Sequence, residues 1–386
     1  MKRLFKLLIR PTYFFKMVSY NLEMIISKYK QNKTIVYNLH QDYFYDIFET
    51  IYAQLKTNPR LKIYFSYLEG NAPLKSYLEN KIEKKYLISS LISPYINFDM
   101  YICPEVNGPN FPIHLFKTKK VEIYHGSGTY NLYSKADVLN KFDIHFAIGP
   151  KFNEFIDFAY KDKKRKPKIY NVGYPKLDIL LRKNNLTNEL RKLYKIDKRK
   201  TVLYAPHWNE FSSLHFFQEA FLKSLAKLDI QILIKPHNYL YTQYPQDNWL
   251  NRFEKLADSF ENISFIKRPN TQELYPLADM MITDTGTTAA LEFCIMGKPL
   301  LIYCNEAWFE NNNHSEVERD LCNLAISFQS AEELNQKISL IIQNENIAEL
   351  KNQKELQKEI VSKYLYPPGE GTSKAISAIL TELELD

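Results

Sequence analysis

The segment "MMITDTGTTAALEFCIMGKPLLIY", residues 280–303, contains the signals that decide the fold. An apolar run ends at Asp284, a turn of Gly and Thr residues follows, and a helical stretch then leads to a Gly-Lys-Pro and a second apolar run. Neither run alternates polar and apolar residues, which is typical of strands buried on both faces of a parallel sheet. The segment therefore predicts a strand–helix–strand unit of an α/β fold.

Short runs of β-branched and aromatic residues recur along the rest of the chain, separated by helical stretches and, at residues 182–200, by a polar crossover. This pattern predicts two doubly wound, Rossmann-like α/β domains. The predicted strands cover residues 34–39, 62–67, 100–105, 121–126, 144–149 and 169–174 in the first half, and 201–206, 232–237, 263–266, 280–285, 299–304 and 325–328 in the second.

Length and composition agree with two domains. The chain has 386 residues, of which 45% are hydrophobic and 25% charged, and it is therefore globular but too long for one ordinary core. We predict a membrane-associating segment at 1–30, a first α/β domain at 31–185 and a second at 186–386, with the option that the last helix packs back on the first domain. The four cysteines have no metal-ligand spacing, which favours buried free thiols. No metal and no cofactor are predicted.

The N-terminal stretch "MKRLFKLLIRPTYFFKMVSYN", residues 1–21, mixes basic residues with aromatic and aliphatic ones. It has no apolar run near the roughly 20 residues of a membrane-spanning helix, and Lys6 and Arg10 interrupt any signal peptide. Two interpretations stay open: an interfacial helix attracted to an anionic membrane surface, and a helix packed on the domain. Nucleic acid is not predicted as a partner, because the basic residues form no single stripe.

Polar residues follow several of the predicted strands. Open parallel sheets bind ligands beyond the carboxyl ends of their strands, so two such domains would face one ligand cleft, the arrangement of a GT-B type transferase. The candidate residues at these ends are His125, Gly126, Ser127, Pro175, Asp178, His207, Trp208, Lys235, His237 and the turn after residue 283.

The turn after residue 283 predicts an anion site, because backbone N–H groups and the dipole at a helix start favour phosphate. Simple capping explains one polar residue but not five in a row. Glu292, two turns into the helix, has two open roles: contact with ribose hydroxyls, or a structural one. The five turn residues are Asp284, Thr285, Gly286, Thr287 and Thr288.

Three other residues carry potential chemistry at strand ends. Lys235 and His237 are both able to donate to a phosphate, and a protonated histidine stabilises the charge of a leaving group. His125 is either a satisfied structural group or a proton acceptor, and the glycine after it permits close approach of the backbone to a ligand.

Taken in order, these segments resemble the CDP-glycerol glycerophosphotransferase family, the teichoic-acid primases and polymerases. The resemblance extends over roughly residues 95–386. Its motifs are His125-Gly126, "GYPKLD" (173–178), "YAPHW" (204–208), "KPH" (235–237), "TDTGT" (283–287) with "GKP" (297–299), and "PPGEGTSKAI" (367–376).

The resemblance implies a GT-B fold and metal-independent transfer of an alditol phosphate from a CDP-linked donor, bound by the second domain. The acceptor, lipid-linked or a glycan and bound by the first domain, would belong to teichoic-acid or capsule synthesis at the cytoplasmic face of the bacterial membrane. By the same resemblance, His125 is the general base and His237 steadies the diphosphate. Asp284, Gly286 and Thr287 would form the phosphate-binding turn.

Some positions depart from the family pattern and keep alternatives open. Gly286-Thr287 stands in place of Ser-Ser, and His207 and Asn209 stand in place of Thr and Arg. One alternative is a glycosyltransferase or UDP-sugar epimerase-like enzyme on the same fold, and another is a non-catalytic binder of anions or lipids. If His125 only positions the acceptor, the base is to be sought among Asp178, His207 and His237.

Overall fold

The structure of the protein is a computed structural model, which describes residues 11–104, 111–113, 116–126, 132–181, 185–267, 270–311, 316–344 and 348–386. Contacts divide the chain into two compact units. The first unit comprises residues 1–125, 132–176 and 366–386, and the second comprises residues 126–131 and 177–365.

The first unit is built on a seven-stranded parallel sheet. Its strand order is β3-β2-β1-β4-β5-β6-β7, so the direction of winding reverses between β1 and β4. Within the described residues, the strands are β1 (Lys33–Leu39), β2 (Leu61–Tyr67), β3 (Leu87–Ser89), β4 (Met100–Cys103), β5 (Lys119–Ile123), β6 (Ile144–Ala147) and β7 (Lys168–Asn171).

Helices cover both faces of this sheet. Ile35 and Tyr37 of β1 point into one core, which also contains side chains of α2 and α17, whereas Val36 between them points to the opposite core under α1. The helices are α1 (Pro11–Tyr29), α2 (Tyr45–Leu55), α3 (Ala72–Glu79), α4 (Ala136–Leu139), α5 (Pro150–Tyr160) and, from the end of the chain, α17 (Gly371–Leu383).

Helix α1 is apolar on two opposite faces. Met24 is buried against the sheet, and Tyr13, Met17 and Tyr20 pack around the same core. The other face, called here the outer face of α1, leaves large apolar side chains exposed, which is unusual for a helix of a globular protein. The outer face consists of Phe14, Phe15, Val18, Leu22, Ile25, Ile26 and Tyr29.

Helix α17 is fixed to the sheet by a buried carboxylate. Glu382 accepts from Lys168 Nζ (2.7 Å) and from Tyr170 OH (2.6 Å) through Oε1, and from Lys119 Nζ (2.9 Å) through Oε2. Burial alone raises the pKa of this carboxyl, but the three hydrogen bonds outweigh it and lower the pKa to about 2. The last helix is therefore part of the first unit, to whose core it contributes Ala375.

The second unit repeats the doubly wound design with a six-stranded parallel sheet. Its order, β10-β9-β8-β11-β12-β13, is the Rossmann order with the winding reversed between β8 and β11. Within the described residues, the strands are β8 (Lys200–Ala205), β9 (Ile230–Ile234), β10 (Ile263–Phe265), β11 (Met280–Asp284), β12 (Leu300–Tyr303) and β13 (Ile326–Ser327).

The helices of the second unit range from single turns to long helices. They are α6 (Asn185–Leu193), α7 (Ser213–Phe217), α8 (Ala220–Leu225), α9 (Tyr239–Gln243), α10 (Trp249–Ser259), α11 (Thr271–Leu274), α12 (Thr288–Cys294), α13 (Glu306–Asn311), α14 (Glu316–Leu324), α15 (Ala331–Gln343) and α16 (Ala348–Tyr364). Short 3₁₀ turns in the two units cover Asp42–Phe44, Lys84–Tyr86, Ser93–Tyr95, Leu132–Lys135, Pro175–Leu181 and Pro245–Asp247.

The predicted strands agree with the structure, with one addition. Each predicted run contains a strand, and the α/β class with two doubly wound sheets is confirmed. Strand β3 was not predicted, because its three residues are too few for a recognisable pattern. Among the described residues, no helix has the length and apolarity needed to span a bilayer.

Candidate active site

His125 lies at the carboxyl edge of the first sheet, two residues beyond β5. Its Nδ1–H donates to the carbonyl oxygen of Pro104, which follows β4, at 2.6 Å. Because a carbonyl only accepts, Nδ1 carries a proton, and in the neutral imidazole Nε2 is then the proton-accepting nitrogen. The ring lies 4.9 Å from that of Phe44, and the His125 carbonyl accepts from Tyr174 OH at 2.6 Å. The histidine is therefore held from both its side chain and its backbone.

Two polar residues near the reversal point of the first sheet were missed by sequence reasoning. Asn38, in β1, is buried, and its Nδ2 lies 3.2 Å from Nε2 of His40, which directly follows β1. The same amide group lies 3.6 Å from Sγ of Cys103 at the end of β4. A polar residue inside an otherwise apolar strand, followed by a histidine, was the available signal.

Two of the sequence motifs meet in the first unit. A Cβ on Gly371, the first residue of α17, would lie 2.9 Å from Pro175 N and 3.1 Å from the carbonyl carbon of Tyr174. Gly173 has a φ of +87°, and a Cβ there would lie 3.6 Å from Cβ of Tyr366. The "GYP" and "PPGEG" segments therefore pack backbone against backbone, which supports Tyr174 beneath His125. Asp178 lies in the following 3₁₀ turn and is buried.

Asp284 connects the two strands at the reversal point of the second sheet. Its Oδ2 accepts from His207 N (2.7 Å) and its Oδ1 from Ser213 N (2.8 Å), so both oxygens bind the backbone that follows β8. Burial raises the pKa of Asp284 to about 6, against the lowering effect of these bonds. The carboxylate therefore shapes the loop after β8.

His207 is a neutral hydrogen-bond donor in this loop. Asn209 N donates to its Nδ1 at 3.2 Å, which assigns the ring proton to Nε2. Burial of the imidazole lowers the pKa of His207 to about 4. Its ring stacks on Trp208 at 5.4 Å and meets the edge of Trp308 at 5.3 Å.

Gly286 is required by the local geometry of its turn. Its φ is +87°, and a Cβ at this position would lie 2.7 Å from Cζ2 of Trp308. The family's serine at this position has no room beside this tryptophan, which explains the departure from the Ser-Ser pattern. Trp308, in α13, was missed because it is distant in sequence and no motif marks it.

The threonines of the turn take part in its internal bonding. Thr285 Oγ1 donates to Tyr303 O at 3.1 Å. Thr287 Oγ1 lies 2.8 Å from Thr283 Oγ1 and donates to Asp284 O at 3.2 Å. Thr288 begins α12. Thr287, at the cap position of this helix, makes no side-chain capping bond there.

Glu292 is enclosed within the second unit. Its side chain is buried, and Oε2 accepts from Gln272 Nε2 (2.6 Å) and from Tyr275 OH (2.8 Å). Of the two roles left open by the sequence, these contacts favour the structural one, because ribose would have to displace them.

Lys235 and His237 follow β9, the neighbour of β8 in the sheet. Lys235 Nζ donates to Lys267 O at 3.2 Å, and the exposed His237 accepts from Tyr239 N through Nδ1 at 3.1 Å. Tyr239 in turn meets the edge of Trp208 at 5.6 Å. Aromatic rings and nitrogen donors therefore share the carboxyl edge of β9, β8 and β11.

The structure brings the predicted residues together in two groups, one on each unit. His125 and Pro175 belong to the first group, Gly126 and Asp178 lie where the chain has just passed into the second unit, and Ser127 lies outside the described residues. The second group comprises His207, Trp208, Lys235, His237, Asp284, Thr285, Gly286, Thr287 and Thr288. Among the described residues, no three His, Cys, Asp or Glu side chains are arranged to hold a metal ion.

Two parallel sheets in Rossmann order, with polar groups at their carboxyl edges, define an α/β transferase fold of GT-B type. Residues 18–313 match the sequence profile of the CDP-glycerol:poly(glycerophosphate) glycerophosphotransferases, and the chain belongs to this family. It is a transferase, as the sequence predicted.

Curated and structural relatives agree with this membership. The teichoic acid ribitol-phosphate primase of Bacillus spizizenii is 20% identical over 319 residues, which cover 74% of this chain and 76% of the relative. The wall teichoic acid polymerase TagF superposes with a TM-score of 0.67 at 15% identity, covering 98% of this chain and 97% of the other. A putative UDP-N-acetylglucosamine 2-epimerase from Listeria monocytogenes superposes with a TM-score of 0.58 at 13% identity, covering 92% and 97%. The GT-B fold is thereby confirmed.

Proposed function

We propose that His125 is the general base of a transfer of alditol phosphate from a CDP-linked donor to an acceptor hydroxyl. The observation that carries the proposal is the hydrogen bond from Nδ1 to Pro104 O, which leaves Nε2 able to accept a proton. In the reaction, Nε2 takes the proton of the acceptor hydroxyl while the hydroxyl oxygen bonds to the phosphorus that bears the alditol. The bond from that phosphorus to CMP breaks, and CMP leaves with the bonding electron pair.

The donor site is proposed at the carboxyl edge of β9, β8 and β11 in the second unit. Trp208 and Tyr239 offer ring faces for the base, since bases stack on aromatic side chains without strict sequence preference. Lys235 and His237 would neutralise the diphosphate, and His207 would donate through Nε2. Asp284 would act as a positioning residue, since both of its oxygens already hold the loop that contains His207.

The transferred group is proposed to be glycerol phosphate, with ribitol phosphate as the nearest variant. The family description names glycerophosphate transfer from CDP-glycerol to poly(glycerophosphate), whereas the curated relative is a ribitol-phosphate primase. The TagF structures include a complex with CDPG, which supports a CDP-linked donor on this fold. The acceptor is proposed to be a lipid-linked or glycan head group bound by the first unit, which carries His125.

The outer face of α1 is proposed to hold the protein on the cytoplasmic surface of the membrane. Phe15 is 70% exposed and Ile25 is 64% exposed, on the side of the helix opposite the buried Met24. Burying such side chains in the bilayer interface is favourable by about 1.5–3 kcal/mol each. Lys16 and Lys28 belong to the same helix and would favour anionic lipid. The other basic residues of the predicted segment, Lys2 to Arg10, lie outside the described residues.

The experiment is single-turnover transfer from CDP-glycerol by the wild type, His125→Ala and His125→Asn. Loss of a general base costs about 10²- to 10⁴-fold in rate. Asn keeps a hydrogen bond but accepts no proton at neutral pH, so both variants should fall by about this factor. An Asn variant that keeps most of its activity contradicts the proposal.

Nucleotide protection provides the control. CMP should raise the unfolding temperature of all three proteins equally, because a ligand that binds only the folded state stabilises it. UMP and UDP should protect less than CMP and CDP. Selective protection by UDP would instead favour the UDP-sugar alternative on this fold.

A further inference from the structure

A pocket lies in the first unit, and its lining residues do not include His125. Its volume is about 300 Å³, and it opens at the carboxyl ends of β2 and β3, beside helix α1. This volume lies at the lower end of the usual range for small-molecule binding sites. Its principal lining residues are Tyr13, Lys16, Tyr20, Glu69, Lys75 and Ser89.

The pocket is formed by a fixed set of hydrogen bonds. Glu69 accepts from Tyr13 OH of α1 through Oε1 at 2.6 Å and from the buried Ser89 hydroxyl of β3 through Oε2. The Glu69 backbone N–H donates to Ser90 Oγ at 3.0 Å. Glu69 thus ties α1 to the sheet edge, and the cavity between them is preformed. Both oxygens of the pocket's acidic side chain are already engaged.

The charge at the pocket favours an anion. Lys16 is exposed and, within the part of the chain that the structure describes, has no carboxylate in ion-pair contact. Lys75 reaches Glu79 only at 4.0 Å, a surface pair of little energetic weight. Its Nζ also lies 5.9 Å from the ring of Tyr67. Two lysines on different helices therefore line one cavity, against a single lining carboxylate, Glu69, whose oxygens are hydrogen-bonded to hydroxyls.

The other lining groups suit a polyol or sugar. Tyrosine rings present flat carbon faces and hydroxyls, the combination that a hydroxylated ligand contacts with its C–H and O–H groups. Asn71 and Ser89 also line the opening, where Asn71 Oδ1 accepts from Leu74 N at 3.0 Å and the Ser89 hydroxyl donates to Glu69. The combination of tyrosines, amide and lysines matches a head group that carries both a phosphate and several hydroxyls.

The helix that lines the pocket also carries the outer face described above. Tyr13, Lys16 and Tyr20 line the pocket, whereas Phe15 and Ile25 are exposed on the opposite side of α1. A helix lying on a bilayer through that outer face would bring the pocket to the level of lipid head groups.

We propose that this pocket binds a phosphate-bearing, hydroxylated part of the membrane-bound acceptor other than the hydroxyl that reacts at His125. The inference rests on the proposed transferase function. A phospholipid with a glycerol phosphate head shares the same chemistry, and the experiment below separates the two sources.

The test is lysine acetylation of the full-length wild-type protein, with rates at each lysine followed by mass spectrometry. Free glycerol 3-phosphate at millimolar concentration should slow acetylation of Lys16 and Lys75 severalfold. Lys84, in the same unit, is the internal control in both arms, and Lys28, on the same helix, is a control only in the glycerol 3-phosphate arm; both should keep their rates there. Vesicles of phosphatidylglycerol and of phosphatidylcholine form the second arm.

The outcomes are distinct. Protection of Lys16 and Lys75 by free glycerol 3-phosphate supports an acceptor head group, and protection by phosphatidylglycerol vesicles alone supports a phospholipid in the same pocket. Lys75→Gln should weaken the protection of Lys16 about tenfold, the effect of losing one charged hydrogen bond, whereas Lys84→Gln should not. Equal rates with and without both probes overturn the proposal. CMP protection, measured on the same samples, reports separately whether the donor site of the proposed function is intact.

Discussion

Gly286→Ser restores the residue that the family pattern has at this turn, and we expect it to damage the protein. The backbone φ of +87° is unfavourable for a residue with a side chain by about 1–2 kcal/mol. The new Cβ would lie 2.7 Å from Cζ2 of Trp308, and such overpacking costs about 1–3 kcal/mol. The free energy of unfolding of the second unit should therefore fall by about 2–5 kcal/mol.

A matched control measures the part of this destabilisation that comes from the positive φ alone. Gly70 has a φ of +89°, but a Cβ there would meet nothing within 4 Å. Gly70→Ser should therefore show only the backbone penalty, about 1–2 kcal/mol. In the double variant Gly286→Ser/Trp308→Leu, the clash is removed and only the backbone penalty of the serine should remain.

Urea unfolding of the single and double variants forms a double-mutant cycle that isolates the coupling between positions 286 and 308. The KM for CDP-glycerol should rise in Gly286→Ser, because the ring of Trp308 contacts His207 in the proposed donor site. If Gly286→Ser unfolds at the wild-type urea concentration with an unchanged KM, the turn is not built around Trp308.

Three further expectations follow from contacts described above. Glu382→Gln should lower the free energy of unfolding at pH 7 by about 2 kcal/mol. The lowering of the Glu382 pKa from 4.5 to about 2 corresponds to about 3 kcal/mol, and solvent screening of the exposed lysines reduces this value. This contribution is present above pH 4.5 and is lost as pH falls towards 2, so urea unfolding of variant and wild type should converge in acid. Asp284→Asn should raise the KM for CDP-glycerol with near-normal turnover, because the amide has only one acceptor oxygen for the two backbone N–H groups that Asp284 binds. A normal KM in this variant would exclude the positioning role of Asp284. The double variant Phe15→Ser/Ile25→Ser should lower co-sedimentation with phosphatidylglycerol vesicles by at least about tenfold. The control variant Ser19→Ala should leave it unchanged. Equal binding of both variants and the wild type would show that the outer face of α1 does not contact the membrane.

The strands and their carboxyl ends were accessible from the sequence, because a strand buried on both faces leaves an uninterrupted apolar run. The positions of His125, His207, Lys235 and Asp284 at strand ends followed directly from this pattern. The Rossmann strand order did not, since it depends on pairings between segments far apart in the chain.

The roles of side chains were harder to predict than their positions. The sequence places Thr285 in the anion site and leaves Glu292 between a ribose contact and a structural role, and the structure adds that their polar atoms bind Tyr303 and Gln272. These partners come from other elements, and nothing in the local sequence identifies them. Trp308 was missed for the same reason, because its contact with the turn at Gly286 arises only in the folded chain.

The return of the chain to the first unit at residue 366 has a consequence for biosynthesis. Residues 366–386 belong to the first unit, although they are translated after every residue of the second. Ile379, Leu383 and Leu385 complete a core that also contains Ile35 and Tyr37. On the ribosome, the second unit therefore has its whole sequence available first, while the earlier-made sheet waits with one apolar face uncovered. Truncation of the chain before Gly371 would leave part of that face open to aggregation or to chaperones.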